Sequence, residues 1–330
     1  MTDERGVAPS GRSSLVTGGA GFIGSHLAEE LLRRGDEVHV VDDLSTGRFE
    51  NVAHLSGNPR FHYVNGTILD DSVMSRLVER SDVVFHLAAA VGVRYVIENI
   101  LRSLQINIRG TEVVLDAANR WKRKVVLFSS SEIYGRTNSG PFNEDHDRTF
   151  GPVTVSRWTY AAGKAIDEIL ALAYHREKRL PVVVIRCFNT CGPRQTGEYG
   201  MVVPRFVKQA LVGAPLTVYG DGQQSRCFAD VSDIVRGTLL LLERQEAEGD
   251  IFNLGSEVEI SIEDLAKRIR TLAASDSRIE YIPYDQAYEP GFEDMRRRVP
   301  DIGKVRALTG YEPQVPLDQT LRGVIDYFKS

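Results

Sequence analysis

The sequence predicts an α/β protein, built on a doubly wound parallel sheet with a smaller, discontinuous α/β substrate-binding domain. Three observations predict it. Short runs rich in Val, Ile and Phe recur up to residue 189: SLVTG, EVHVVD, RFHYVNG, DVVFHLAA, KVVLFSSS and LPVVVIRCFN. Helical stretches such as GSHLAEELLRRG and TEVVLDAANRW separate them. Strands that read as unbroken apolar runs between helices are buried on both faces, as in a parallel sheet. Beyond residue 189 the alternation breaks down. GPRQTGEYGMVVPRFVKQAL reads as loop then helix, LTVYGDGQQSRCFADVSD as strand, turn, strand, and SIEDLAKRIRTLAA as an amphipathic helix. DVSDIVRGTLLLLE and IFNLGS return to the helix-then-strand character of the first part. The expected division is therefore 12–189 plus about 226–256 for a nucleotide-binding domain, and about 190–225 plus 257–330 for the second.

With 330 residues, 42% of them hydrophobic, the chain can fill a sizeable core. The net charge is −5, and no basic run exceeds Arg296–Arg298 in length, so no nucleic-acid partner is expected. The N-terminus MTDERGVAPSGRSS is polar, and no run approaches the roughly 18 apolar residues of a membrane span. A small-molecule partner, no membrane and a cytoplasmic location are expected. Cys187, Cys191 and Cys227 lack metal-type spacing and read as small buried thiols, with no metal.

Strand SLVTG runs into Gly18-Gly19-Ala20-Gly21-Phe22-Ile23-Gly24 and then a helix. A chain that must turn sharply, approach a pyrophosphate and pack helix on strand needs glycine at such positions, and the helix N-terminus supplies free N–H groups. A glycine turn alone could simply link strand to helix. Here the next strand ends in Asp42, 18 residues past Gly24, where a carboxylate can accept two ribose hydroxyls and repels a 2′-phosphate. These features predict a Rossmann-type site for NAD rather than NADP.

In RWTYAAGKAIDEIL, Tyr160 and Lys164 lie four apart, on one face of a helix. An ammonium beside a phenol favours the phenolate, making Tyr160 a candidate general base. An incidental pair on an exposed helix is the bland alternative.

Taken together, the glycine motif, HLAAA with Leu87 and Ala88, Asn107 in NIRGT, Ser129 to Ser131 before EIYG, Tyr160-x-x-x-Lys164 and FNTCGPRQ resemble extended short-chain dehydrogenase/reductases acting on nucleotide sugars. The resemblance covers about residues 12 to 328. It implies NAD bound by the glycine motif, Asp42, Leu87, Ala88, Asn107, Ser129, Tyr160 and Lys164, and oxidation of a sugar C4 hydroxyl. Thr67 stands where many members carry an acid near the adenine, with Asp70 close by.

The fate of the oxidised sugar depends on the remaining groups. A 4,6-dehydratase needs an acid and a base, and its segment resembles STDEVYG; this chain has Ser131 at the aspartate. A 4-epimerase usually has small residues in place of Glu132. A UDP-glucuronate decarboxylase segment resembles STSEVYG, which SSSEIYG at 129–135 matches with conservative changes. The C4 ketone makes a β-keto acid whose carboxylate can leave without a C5 base. The resemblance thus implies conversion of UDP-glucuronate to UDP-xylose, UDP-4-keto-pentose or both, with Ser130, Ser131 and Glu132 at the sugar. MRRRVPDIGKVRALTGYEPQVPLDQTL resembles the UDP-xylose synthase C-terminal motif, which brings Arg298 to the sugar carboxylate; a solvated charged face is the alternative for Arg296–Arg298. By the same resemblance Asn189 and Arg226 contact the diphosphate, and Val203, Pro204 and Tyr219 line the uridine pocket. Asn189 could equally cap a loop, and Pro204 start a helix. The competing functions are a nucleotide-sugar 4-epimerase or 4,6-dehydratase and, from another class, a non-catalytic NAD sensor, which would need only the glycine loop. Helices near 100–120 and 156–178 match those that pair into a homodimer in this group.

Overall fold

The computed structural model describes residues 11–136, 140–197, 200–287 and 295–329. Seven parallel strands form the main sheet: β1 (Ser13–Thr17), β2 (Glu37–Asp42), β3 (Phe61–Asn65), β4 (Val83–His86), β5 (Lys124–Ser130), β6 (Val182–Cys187) and the strand Asp250–Leu254. Their order is Asp250–Leu254, β6, β5, β4, β1, β2, β3, so the chain winds outward in both directions from β1. Val16 sits in register with Val40 on one side and Phe85 on the other.

Alternate residues of each strand serve opposite faces. Along β5, Val126 and Phe128 join a core with Leu27 and Leu31 of helix α1 (Phe22–Arg33) and Ile234 and Leu239 of the helix Val231–Leu242. Val125 and Leu127 join the other core, with Met74, Leu77 and Val78 of helix α2 (Asp71–Glu79) and Val113 and Val114 of the helix Gly110–Trp121. Each fully buried leucine contributes about 1.5–3 kcal/mol relative to exposure, so both faces are needed to offset chain entropy.

A third core lies beyond the sheet. Phe206 and Val207 of the helix Val202–Leu211, Leu265 and Ile269 of Ile262–Leu272, and Leu321 and Val324 of Leu317–Lys329 pack over Leu216 and Val218. The short strand Ser225–Cys227 is flanked by Glu259–Ser261, antiparallel, and by Arg297–Arg298, parallel, which sets Arg298 beside Arg226. The segment after Arg298 returns to the first core, where Ile302, Val305 and Tyr311 are fully buried. Among the described residues no helix is long and apolar enough to cross a membrane.

Candidate active site

Strand ends and helix starts converge on a cavity of about 520 Å³ at the carboxyl edge of the sheet, where open α/β folds bind ligands. The turn after β1 forms one wall. Gly18 has φ +69°, and a Cβ there would sit 2.7 Å from Ala88 N; a Cβ on Gly24 would meet Gly18 O at 2.3 Å. Only glycine permits this packing. Helix α1 has Gly21 at its N-cap and so no side-chain cap, whereas Asp70 caps α2 through Ser72 N and Val73 N and Asp230 caps its helix through Ser232 N. The α1 N-terminus is thus left for an anion on the cavity side. Asp42 closes this end, its carboxylate accepting from Ala20 N at 3.0 Å and Leu44 N at 2.9 Å. Burial pushes the Asp42 carboxyl up, with those backbone donors opposing the rise. A tight glycine cradle, an uncapped helix start and an acid at the second strand fit a dinucleotide. Asp70 is occupied as the α2 cap and does not line the cavity; Thr67 does.

Two expected residues stand off the wall. Asn107 lies in a π-turn, Gln105–Arg109, that turns its side chain onto the backbone of Ala90: Oδ1 accepts from Ala90 N at 2.8 Å and Nδ2 donates to Ala90 O at 3.4 Å. It braces the loop after Leu87 and Ala88 from behind. Pro204 is buried inside its helix, while its neighbour Val203 lines the cavity.

The other wall begins where β5 ends. Ser129 and Ser130 close the strand, and Ser130 Oγ accepts from Glu132 N at 3.3 Å, capping the short turn Ser131–Tyr134 that aims Glu132 inward. Tyr134 anchors the turn: its ring stacks on Phe142 at 4.7 Å, and its hydroxyl donates to Asn253 Oδ1 while accepting from Arg186, itself forked onto Glu168. Phe142 in turn exchanges backbone bonds with the C-terminal strap, donating to Val299 O and accepting from Asp301 N at 2.8 Å each. That strap carries Arg298, which forms an ion pair with Glu132 and donates to Asn189 Oδ1 at 2.5 Å. Asn189, at φ +30°, also donates to Cys227 O. Arg226 donates to the carbonyls of Ser225 and Met295, and Tyr219 carries the Arg205 guanidinium 4.0 Å above its ring.

Tyr160 and Lys164 of the helix Thr159–Lys178 line the same cavity as Glu132, Asn189, Arg226 and Arg298. Their electrostatics differ from the simple pairing. Burial and the Glu132 carboxylate drive the Tyr160 phenol up, against a hydrogen bond with Ser130, whereas an adjacent ammonium alone would lower it. Lys164 is held by Asp167, Nζ to Oδ2 3.1 Å, and that carboxylate adds a smaller push in the same direction as burial and Glu132. Residue pattern alone does not single out Asp167 or Arg205. For Asp167 the signal present in the chain is its i, i+3 spacing from Lys164.

A family model described as GDP-mannose 4,6 dehydratase matches residues 15–324. The chain belongs to this family. Solved structures share the architecture closely. UDP-glucuronic acid 4-epimerase from Bacillus cereus, solved with UDP-glucuronic acid and NAD, is 32% identical with a TM-score of 0.87, over 96% of this chain and 99% of that one. The dTDP-glucose 4,6-dehydratase of Streptomyces venezuelae, with NAD and TYD bound, gives 32% and 0.87, over 96% and 97%. Among curated relatives, the UDP-N-acetyl-alpha-D-glucosaminuronate decarboxylase of Bacillus cytotoxicus is 43% identical over 316 residues, 96% of this chain and 97% of its own. UDP-glucuronic acid decarboxylase 1 of Danio rerio is 39% identical, over 95% of this chain and 72% of its own.

Behind the family's cofactor wall, His86 is fully buried between Thr17 Oγ1 at 2.8 Å and Thr111 Oγ1 at 3.0 Å. Burial, then the Lys164 charge, depress its pKa to about 3, so the folded protein holds it neutral. Below its ordinary pKa of about 6.5 the unfolded chain takes up a proton that the folded one refuses, so stability falls as pH drops through this window toward 3. We expect His86→Gln to flatten the stability slope by about 1.4 kcal/mol per pH unit between roughly pH 6 and 4, read by urea melts at several pH values. Parallel slopes would contradict it. Elsewhere, Glu37, His39 and His62 cluster at the start of β2 and β3, with Glu37 2.9 Å from His62.

Proposed function

We propose that this chain is an NAD-dependent UDP-glucuronate decarboxylase. The observation that carries the reading is Arg298, which a strand pairing and the Phe142 strap set against Glu132 and Asn189 in the cavity that Tyr160 lines. Curated relatives named as uronate decarboxylases, matched over 96% and 95% of this chain, support it. Gly18, Gly21, Gly24, Asp42 and the Leu87–Ala88 wall would hold NAD, which when bound would supply the hydride chemistry at the sugar C4. Ser130 and Ser131 hold the sugar hydroxyl, and Tyr160 takes its proton with Lys164 nearby. The C4 carbonyl then makes the uronate a β-keto acid, and the C5–C6 bond breaks as its electrons delocalise into that carbonyl. Arg298 orients the departing carboxylate, and Glu132 orders the C5 side where a proton returns. A product reduced at C4 before release would be UDP-xylose, and one released as the ketone would be UDP-4-keto-pentose.

Incubation with NAD and UDP-glucuronate should release carbon dioxide; a C4 epimer with no gas would sink the proposal. A second reading concerns only C2. The 43% relative acts, by its name, on an N-acetylated sugar acid. Comparing kcat/KM for UDP-glucuronate and UDP-N-acetylglucosaminuronate in the same assay decides between them.

The proposed enzyme divides into a cofactor-binding unit, 12–189 plus about 226–256, and a nucleotide-sugar unit, about 190–225 plus 257–330; Asn189 and Arg226, at the borders of the first, face the diphosphate, and Val203 and Tyr219 of the second face the uracil. We expect a homodimer. Leu101 (70% exposed), Ile166 (39%) and Ile169 (55%) leave an apolar surface on the helices Ile100–Leu104 and Thr159–Lys178. Sedimentation should give twice the chain mass; a monomer at micromolar concentration would refute this. Free thiols at Cys187, Cys191 and Cys227 suit a reducing cytoplasm.

A further inference from the structure

At the end of the sheet opposite the cavity, Glu37, His39 and His62 stand together on one face. Glu37 and His39 are two apart on β2, so their side chains share a side, and His39 is in register with His62 of the parallel strand β3. The next pair along that face, Val41 and Val64, runs into the core beneath helix α2. Nothing in the proposed reaction uses these three polar groups.

Glu37 Oε1 lies 2.9 Å from His62 Nε2 and 3.5 Å from His39 Nε2, and one ligand atom from each residue lies within 4.8 Å of the other two. A tetrahedral metal site with bonds of about 2.0–2.1 Å spaces its ligand atoms about 3.3–3.4 Å apart. Two of the three edges are therefore close to that spacing. The imidazoles stack with centroids 4.7 Å apart and planes 20° from parallel, and His62, its side chain 43% exposed, has room to turn its ring until both nitrogens face one point. His39 is the fixed member, its side chain only 10% exposed, while the half-exposed Glu37 leaves the site open to solvent. Two imidazoles and one carboxylate suit Zn2+ and its first-row neighbours, whereas Mg2+ and Ca2+ take oxygen donors. An ordinary ion pair with Glu37 needs only one imidazole. Arg80, the C-cap residue of α2, acts on His39 as a like charge, which weakens a cation here without removing a ligand.

We propose that Glu37, His39 and His62 form a site for a divalent transition metal, Zn2+ by preference, that clips the edge strand β3 to β2. Each imidazole binds through its Nε2 lone pair with its hydrogen on Nδ1, and three protein ligands leave a fourth position for water. β3 is the last strand of the sheet, so its ladder is held by β2 alone. A metal bridging the two strands adds bonds where that edge begins. The sequence expectation of no metal came from cysteine spacing; this set holds no cysteine and is assembled by strand register. β3 runs on into Gly66, Thr67 and Ile68, which line the cavity, but about 13 Å of strand separates His62 from Gly66. The site therefore acts on stability and takes no part in the chemistry.

The inference is independent of the decarboxylase reading. The full chain, without an affinity tag, is freed of metal by EDTA and dialysis and titrated with Zn2+ by calorimetry, with the visible absorbance of Co2+ as a second readout of tetrahedral geometry. One Zn2+ per chain should bind, Mg2+ should not, and Zn2+ at about 100 times its Kd should raise Tm by about 3–6 °C. His62→Ala and Glu37→Gln, both at exposed positions, should each weaken binding by about 10–100-fold or more and abolish that rise. Their metal-free Tm should stay within about 2 °C of the parent, and either variant suffices should the other fail to fold. Absence of Zn2+ binding overturns the proposal. So does Zn2+ bound equally well by both variants, which would place the ion elsewhere, and so does equal binding of Mg2+, which would mean a contact with carboxylates alone.

Discussion

Replacing Tyr160 by phenylalanine is expected to lower turnover of UDP-glucuronate by about 10²–10⁴-fold while leaving NAD+ and UDP binding within about 3-fold. The ring keeps its volume, so the wall formed with Ser130 and Lys164 stays intact and only the ionisable oxygen is lost. That oxygen is costly to ionise, because burial, the Glu132 carboxylate and, to a smaller extent, Asp167 push the phenol up. Activity should therefore rise with pH, since the deprotonated phenol is the working form. Pre-steady-state absorbance on mixing with substrate checks the step directly. A variant that still reduces its cofactor at near-parent rates would refute Tyr160 as the base.

Arg298→Ala is expected to lower kcat/KM for UDP-glucuronate by about 10²-fold or more, through loss of a charge-assisted contact near 3 kcal/mol, with UDP affinity little changed. The substitution also strands Glu132 without its cation in a part-buried setting, and a stability loss of about 2–4 kcal/mol should accompany it. Arg298→Ala with Glu132→Gln separates the two effects: stability should return, and selection for the uronate should not. Recovery of both in the double variant would show that Arg298 acts only by neutralising Glu132.

Much of the fold and site is legible in the sequence because it is local. The strands of the large sheet announce themselves as apolar runs, and the glycine turn forces close packing within seven residues. Asp42 is placed by strand length alone. The features hidden from the sequence depend on contacts between distant segments. No periodicity reveals that Ile302, Val305 and Tyr311 return to the first core, or that Phe142 bonds the strap at Val299 and Asp301. Asn107 sits where its motif says but faces Ala90, because a π-turn, which propensities do not signal, rotates the helix beneath it. Asp167 is in plain view beside Lys164, yet its neutralising effect depends on both groups being sealed from water.

The pairing of Glu132 with Arg298 spans 166 positions of chain. Closing so long a loop is entropically costly until the intervening elements are already docked. The carboxylate end of the site is therefore assembled among the last events of folding, after the glycine turn and the Tyr160 helix have a sheet to rest on. A nascent or partly unfolded molecule could hold a nucleotide well before it could act on a sugar acid, which ties the chemistry to completion of the fold.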